Sequence, residues 1–144
     1  MLLDRSPARP TANATVAARV REIGLERALV EIPLLADNSG SAGWRKWHNR
    51  AGLEYRPIHN RLVIPDSSDR VQAVIDGQGI ALWDELVQVE LDSGELHYLS
   101  EVTLDIAGYY LVYTAPAARR SPVVTTFADW IRRQGRSRPP DNIF

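Results

Sequence analysis

Apolar positions recur along the chain at two spacings, and the switches between them mark out its elements. Val16, Ala17, Val20 and Ile23 fall on one face at helical spacing, which predicts a helix over residues 15–23 that Gly24 stops. Residues 29–35 form a short apolar run of strand character, and Pro33 confines it to an edge or a strand end. Ser39, Gly40 and Ser41 make a turn able to cap a helix over residues 42–51. That helix carries Trp44, Trp47 and Ala51 on one side, Arg45, Lys46 and Asn49 on the other, and ends at Gly52. Residues 58–64 alternate at the period of a strand, and Pro65 closes it. Asp66, Ser67 and Ser68 offer N-cap chemistry to a helix with Val71, Val74 and Ile75 buried, ended by Gly77.

The following run, residues 79–83, is wholly apolar, as in a parallel strand covered on both faces. Residues 84–92 fit either helix or strand, 96–99 a strand, and the aromatic, β-branched run 109–113 a strand. Residues 123–134 read as a helix with Val124, Phe127, Trp130 and Ile131 inward; residues 4–14, with Pro7 and Pro10, read as a loose lead-in and 136–141 as a tail. The order αβαβαβ, then a mixed stretch, a strand and a helix, predicts an α/β fold with a mostly parallel sheet flanked by helices.

A chain of 144 residues with 44% hydrophobic and 24% charged side chains suits one compact core and excludes disordered and fibrous classes. The net charge is −1, with Lys46 the single lysine beside sixteen arginines, so there is no global basic field for nucleic acid. The absence of cysteine removes disulfides, thiolate nucleophiles and cysteine-ligated metal sites. Residues 1–5 lack the apolar stretch of a secretory signal, and no run is long enough to span a bilayer, so a soluble cytoplasmic protein is expected.

Catalytic chemistry finds no support. His48 lies on the polar side of its predicted helix, and His59 and His97 lie in strands without carboxylates at metal-ligand spacing; all three read as structural or surface residues. Neither HExxH nor GxSxG occurs, and Gly77-Gln78-Gly79 precedes a strand, so it is a helix stop and strand entry, not a dinucleotide fingerprint. No enzyme activity, cofactor or metal is expected. The six arginines at 119, 120, 132, 133, 136 and 138 read as a solvated helix face and tail, since no recognition helix accompanies them as in a nucleic-acid patch.

One junction does suggest binding. Pro65-Asp66-Ser67-Ser68 leads from a strand into a helix, where free N–H groups and two hydroxyls suit an anion such as a carboxylate. Plain N-capping, worth about 1 kcal/mol, explains the same residues without a ligand.

Taken in order, Gly43-Trp44-Arg45-Lys46-Trp47, Ala51-Gly52, Ser67-Ser68, the run from Val71 to Leu82, Leu91-Asp92-Ser93-Gly94-Glu95-Leu96, Tyr109-Tyr110-Leu111-Val112 and Phe127-Ala128-Asp129-Trp130-Ile131 resemble a known family. It is the C-terminal effector-binding region of LysR-type transcriptional regulators, in the branch that includes the activator of the glycine-cleavage operon, over Leu34 to Gln134. The resemblance implies a periplasmic-binding-protein-like fold, with two α/β lobes joined by crossover strands around a small-molecule effector. Residues 34–107 would be the second lobe, 108–135 the crossover strand and C-terminal helix of the first lobe, 1–33 a divergent lead-in with helix and strand, and 136–144 a tail. The implied ligand-binding residues are Asp66, Ser67, Ser68, Gly79, Ile80 and Tyr109. The family's winged helix-turn-helix does not precede these elements, so the reading is a truncated regulator that binds no DNA or membrane itself. Its implied partners are a small, anionic or amino-acid-like effector, a second copy of the chain, or a LysR-type regulator; the alternative is an orphan small-molecule-binding half-domain.

Overall fold

The computed structural model describes residues 7–38, 40–56, 61–83, 87–105 and 115–135. The chain divides into two compact units, Pro7–Ile106 on the one hand and Met1–Ser6 with Ala107–Phe144 on the other.

The first unit is built on β1, Pro7–Asn13, the stretch whose prolines suggest a loose lead-in. It is instead an interior strand. β4 (Ala81–Trp83) and β5 (Leu96–Tyr98) pair with it antiparallel on either side, and β6 (Leu104–Asp105) pairs with Pro7 and Ala8. Pro10 is accommodated at the end of the β5 ladder: beyond Thr11↔Tyr98, the last pair, its carbonyl still accepts the Leu99 N–H at 2.8 Å, and the ladder stops where proline offers no N–H in return.

A second ladder joins β2 (Leu35–Ala36) to β3 (Leu62–Val63) in parallel. A parallel bridge between Leu34 and Ile80 connects it to β4. The expectation of a mostly parallel sheet is therefore corrected to a mixed one. The strands alternating with helices do run parallel, but β1, invisible to that alternation, runs against its neighbours.

Side-chain alternation sorts the core into two clusters. Ala12, Leu34, Ala36 and Ile80 join Val20, Ala28, Leu29, Trp44 and Trp47. Leu35, Ala81, Trp83 and Leu96 join Ala73, Val74 and Val87. Helices α1 (Ala14–Ile23), α2 (Leu25–Glu31) and α3 (Ala42–Ala51) thus pack with one set of strand positions, and α4 (Ser67–Ile75) with the alternate set. The six-residue α5, Gln88–Ser93, settles the ambiguous stretch as helix and ends at Gly94 in the left-handed region.

Residues 29–35 do not form the expected strand. Helix formers from Leu25 to Leu29 and the Arg27–Glu31 pair one turn apart favour α2, and Ile32, preceding Pro33, is forced out to extended backbone (φ −96°, ψ 138°). The strand shrinks to two residues. The predicted boundaries of α3 hold, and Gly52 closes it at φ 70°.

In the second unit a 3-10 turn, Pro116–Arg120, leads into α6, Pro122–Gly135. Phe127 and Trp130 are not inward as the spacing predicts. They are 58% and 50% exposed and stack on each other with centroids 5.9 Å apart. The expected strand 109–113 lies outside the described residues, as does the tail.

Candidate functional site

Ligands of open α/β sheets settle beyond the carboxyl ends of the parallel strands. Two helices start at that edge here: α3 after β2 and α4 after β3. Their starts are built differently.

At α4 the cap is Asp66. Its carboxylate accepts the N–H groups of Ser68 and Asp69 at 2.8 and 3.0 Å, so the helix start already holds an anion of its own chain. Ser67 and Ser68 are exposed beside it. Arg70, one turn in, donates to the Ile64 and Pro65 carbonyls and lies 4.8 Å from the Trp83 ring centroid. Trp83 ends β4, is 6% exposed, and its buried indole nitrogen has no hydrogen-bond partner among the described residues.

At α3 the cap position is Ser41, buried at 2% and held in left-handed backbone at φ 50°, an uncommon state for a residue with a Cβ. Its hydroxyl does not cap the helix. It accepts Arg61 Nη1 at 3.0 Å instead, while Arg45 Nε donates to the Gly40 carbonyl at 3.4 Å. Two guanidinium groups therefore stand at a helix start that its own cap residue leaves open.

Of the residues singled out by sequence, Asp66, Ser67 and Ser68 come together. Gly79 and Ile80 do not join them: they are buried at the entry to β4, level with Leu34, at the amino ends of the parallel strands. Ile80 uses both backbone groups on Pro33 and Leu35, at 2.9 and 2.8 Å. Gly79 approaches Pro33 so closely that a Cβ would stand against its carbonyl. Tyr109 lies outside the described residues. The sequence reads Ser41 only as a turn residue and does not single out Arg61 or Trp83. The turn at Gly40-Ser41, a second strand-to-helix junction, is a signal for Ser41 alone; Arg61 comes beside it through the fold.

His48 is 3% exposed, which corrects its placement on the polar side of α3. Its Nδ1–H donates to the Trp44 carbonyl at 2.8 Å, and its ring meets those of Trp44, Trp47 and Tyr55 edge-on. Burial holds its pKa below the usual value, against a smaller upward pull from the Trp44 carbonyl. His97 lies in β5, and His59 lies outside the described residues. No cluster of metal-ligating side chains occurs among the described residues, and no helix among them is long and apolar enough to cross a membrane.

The family model for the LysR substrate binding domain matches residues 7–136. The chain belongs to that family. The match takes in β1, α1 and α2, ahead of the motifs that begin at Leu34. The LysR domain superposes on the effector domain of AmpR from Pseudomonas aeruginosa with a TM-score of 0.74 at 18% identity, covering 94% of this chain and 64% of that one. It matches the C-terminal domains of a LysR family protein from Agrobacterium tumefaciens at 28% identity and a TM-score of 0.61, over 74% of this chain and 52% of that one. LysG from Corynebacterium glutamicum, solved with bound effector Arg, matches at 18% identity and a TM-score of 0.62, over 96% and 47%. The LysR domain therefore spans between about half and two thirds of the length of these structures. A search of curated proteins returns no match. Domains of this family sense effectors within transcriptional regulators, and the α/β fold described above is theirs.

Proposed function

We propose that this chain senses a small anionic or amino-acid-like molecule at the carboxyl edge of β2, β3 and β4, as the non-enzymatic, cytoplasmic effector-binding part of a LysR-type regulator of the glycine-cleavage-activator branch. The observation that carries the reading is the placement of two helix starts, at Ser41 and Ser67, on one sheet edge within the residues matched to the family. The bound arginine of LysG supports the amino-acid class.

In this reading the unit Pro7–Ile106 is the second lobe of a bilobed sensor, and residues 108–135 supply a crossover strand and a helix of the first. Asp66, Ser67 and Ser68 meet the ligand, and Gly79 and Ile80 hold the strand entry behind it. These residues make no DNA contact themselves; a second copy or a longer LysR-type regulator pairs with them.

The test is calorimetric titration and thermal melting with a panel of amino acids and small carboxylates. A ligand at a hundred times its dissociation constant stabilises the fold by about 2.7 kcal/mol. The double variant Ser67→Ala, Ser68→Ala is expected to abolish the shift and leave the unliganded melting temperature unchanged. No shift from any ligand in the panel overturns the proposal.

A further inference from the structure

The chain enters the unit Pro7–Ile106 just before β1 and leaves it just after β6. Both passages run through one ladder, Pro7↔Asp105 and Ala8↔Leu104. We propose that α3 is a rigid link which carries displacements at its start, beside the sheet edge, to this crossing pair, and that Trp47 is the positioning residue through which it does so. The link rests on the reading of that edge as a binding site only for what displaces α3 in the working protein.

Residues 99–103, which feed β6, are held from three sides. Leu99 N–H donates to the Pro10 carbonyl at 2.8 Å. Glu101 receives Arg9 Nη1 at 3.3 Å, and the same guanidinium lies 4.7 Å from the Tyr98 ring centroid. The Val102 carbonyl accepts the Trp47 indole N–H at 3.0 Å. The ion pair is a weak hold, since the Glu101 side chain is 96% exposed and water screens it. The indole is a strong one. Trp47 is fully buried, edge-on to Trp44 at 6.2 Å and to His48 at 5.4 Å, so its ring has no room to turn away.

One turn earlier on the same helix, Trp44 gives its indole N–H to the Leu35 carbonyl at 2.8 Å. Helix α3 therefore begins at Ser41, is bonded to β2 through one indole and to the crossing segment through the next. Val102 and Leu104 also pack against the cluster that holds both tryptophans. An α-helix transmits axial movement because its ladder of hydrogen bonds resists stretching. A shift of its start therefore reaches Val102, and from there the two strands by which the chain enters and leaves the unit Pro7–Ile106.

Amide hydrogen exchange on the full chain tests this without a ligand. Trp47→Phe keeps the aromatic bulk and removes only the donor; the amides of β6 and of Ala8 are expected to exchange about three- to tenfold faster, as the loss of one hydrogen bond predicts. Trp44→Phe, the same change one turn away, is expected to speed exchange in β2 and leave β6 alone. Ser41→Ala is expected to speed exchange in β6 in the native background and to add nothing in Trp47→Phe, the mark of energetic coupling. In the unaltered protein the Trp47 indole proton should exchange at the rate of the β6 amides, a readout that survives a variant that fails to fold. Equal acceleration of every amide, an unmoved β6, or an additive Ser41→Ala effect overturns the link. A panel in which nothing binds refutes the binding edge while leaving the exchange result intact.

Discussion

Asn13, the last residue of β1, donates its side-chain amide to the carbonyl of Ile75 at the end of α4, 3.0 Å away and 62 residues along the chain. Its Oδ1 meanwhile accepts the Val16 N–H at 2.9 Å as the N-cap of α1. One side chain thus starts one helix and finishes another. Asn13→Ala is expected to cost about 2 kcal/mol, one lost cap plus one unsatisfied carbonyl, read from the midpoint of urea unfolding. Asn13→Asp keeps the acceptor but sets a charge against the Ile75 carbonyl, and should recover no more than half of that loss.

Two glycines separate crowding from backbone strain. Gly24, at φ 87° and ψ 148°, has open space where a Cβ would stand, so Gly24→Ala should cost about 2 kcal/mol through its positive φ alone. Gly79→Ala sets its methyl against the Pro33 backbone, which is tied to Ile80 and has no room to give. A loss of about 3 kcal/mol is expected there. Thermal unfolding of the two variants side by side checks the order; equal losses would refute it.

Protonation of His48 opposes folding. Its folded pKa is lowered by burial, so between that value and the unfolded value near 6.5 the unfolded chain binds more protons. The His48 contribution to stability is complete above the unfolded value and declines as pH falls towards the folded one. His48→Phe should flatten this part of the pH profile, measured as unfolding midpoints in urea from pH 8 to 5; a variant profile that keeps the same slope counts against the assignment.

At the start of α4, the capping bonds belong to Asp66 and not to the two serines after it. Asp66→Ala removes the acceptor for two amides and should cost about 1 kcal/mol without any ligand present. Ser67→Ala and Ser68→Ala, at exposed positions, should each stay within about 0.5 kcal/mol of the native chain. Thermal melting that ranks a serine above Asp66 would move the cap to that hydroxyl.

Helices α1, α3 and α4 were the readable part of this chain, for physical reasons that particular residues show. Trp44 and Trp47 are one turn apart, and a following glycine closes α3, so periodicity and stop signal agree. Asp66 is likewise legible as a cap because a short carboxylate before a helical stripe has one dominant use. The centre of the sheet was not readable. Pro7 and Pro10 argue against a strand unless the end of the neighbouring ladder is known, and that register depends on Tyr98 and Leu99, far along the chain. His48 misled because a polar residue on a helix flank is ordinarily wet, whereas Tyr55 and two indoles enclose it here. The edge formed by Ser41 and Arg61 joins residues 20 apart, a juxtaposition only the fold makes.

The direction and position of β1 have a consequence for assembly on the ribosome. Of the described strands of the unit Pro7–Ile106, the first to be synthesised takes the middle place, and its hydrogen-bonding neighbours, at residues 81–83, 96–98 and 104–105, are the last to emerge. A nascent chain therefore keeps a buried-type segment waiting through some ninety residues of translation, and the high contact order of these pairings makes closure slow. Chaperone demand should fall on that interval, before Leu96 leaves the exit tunnel.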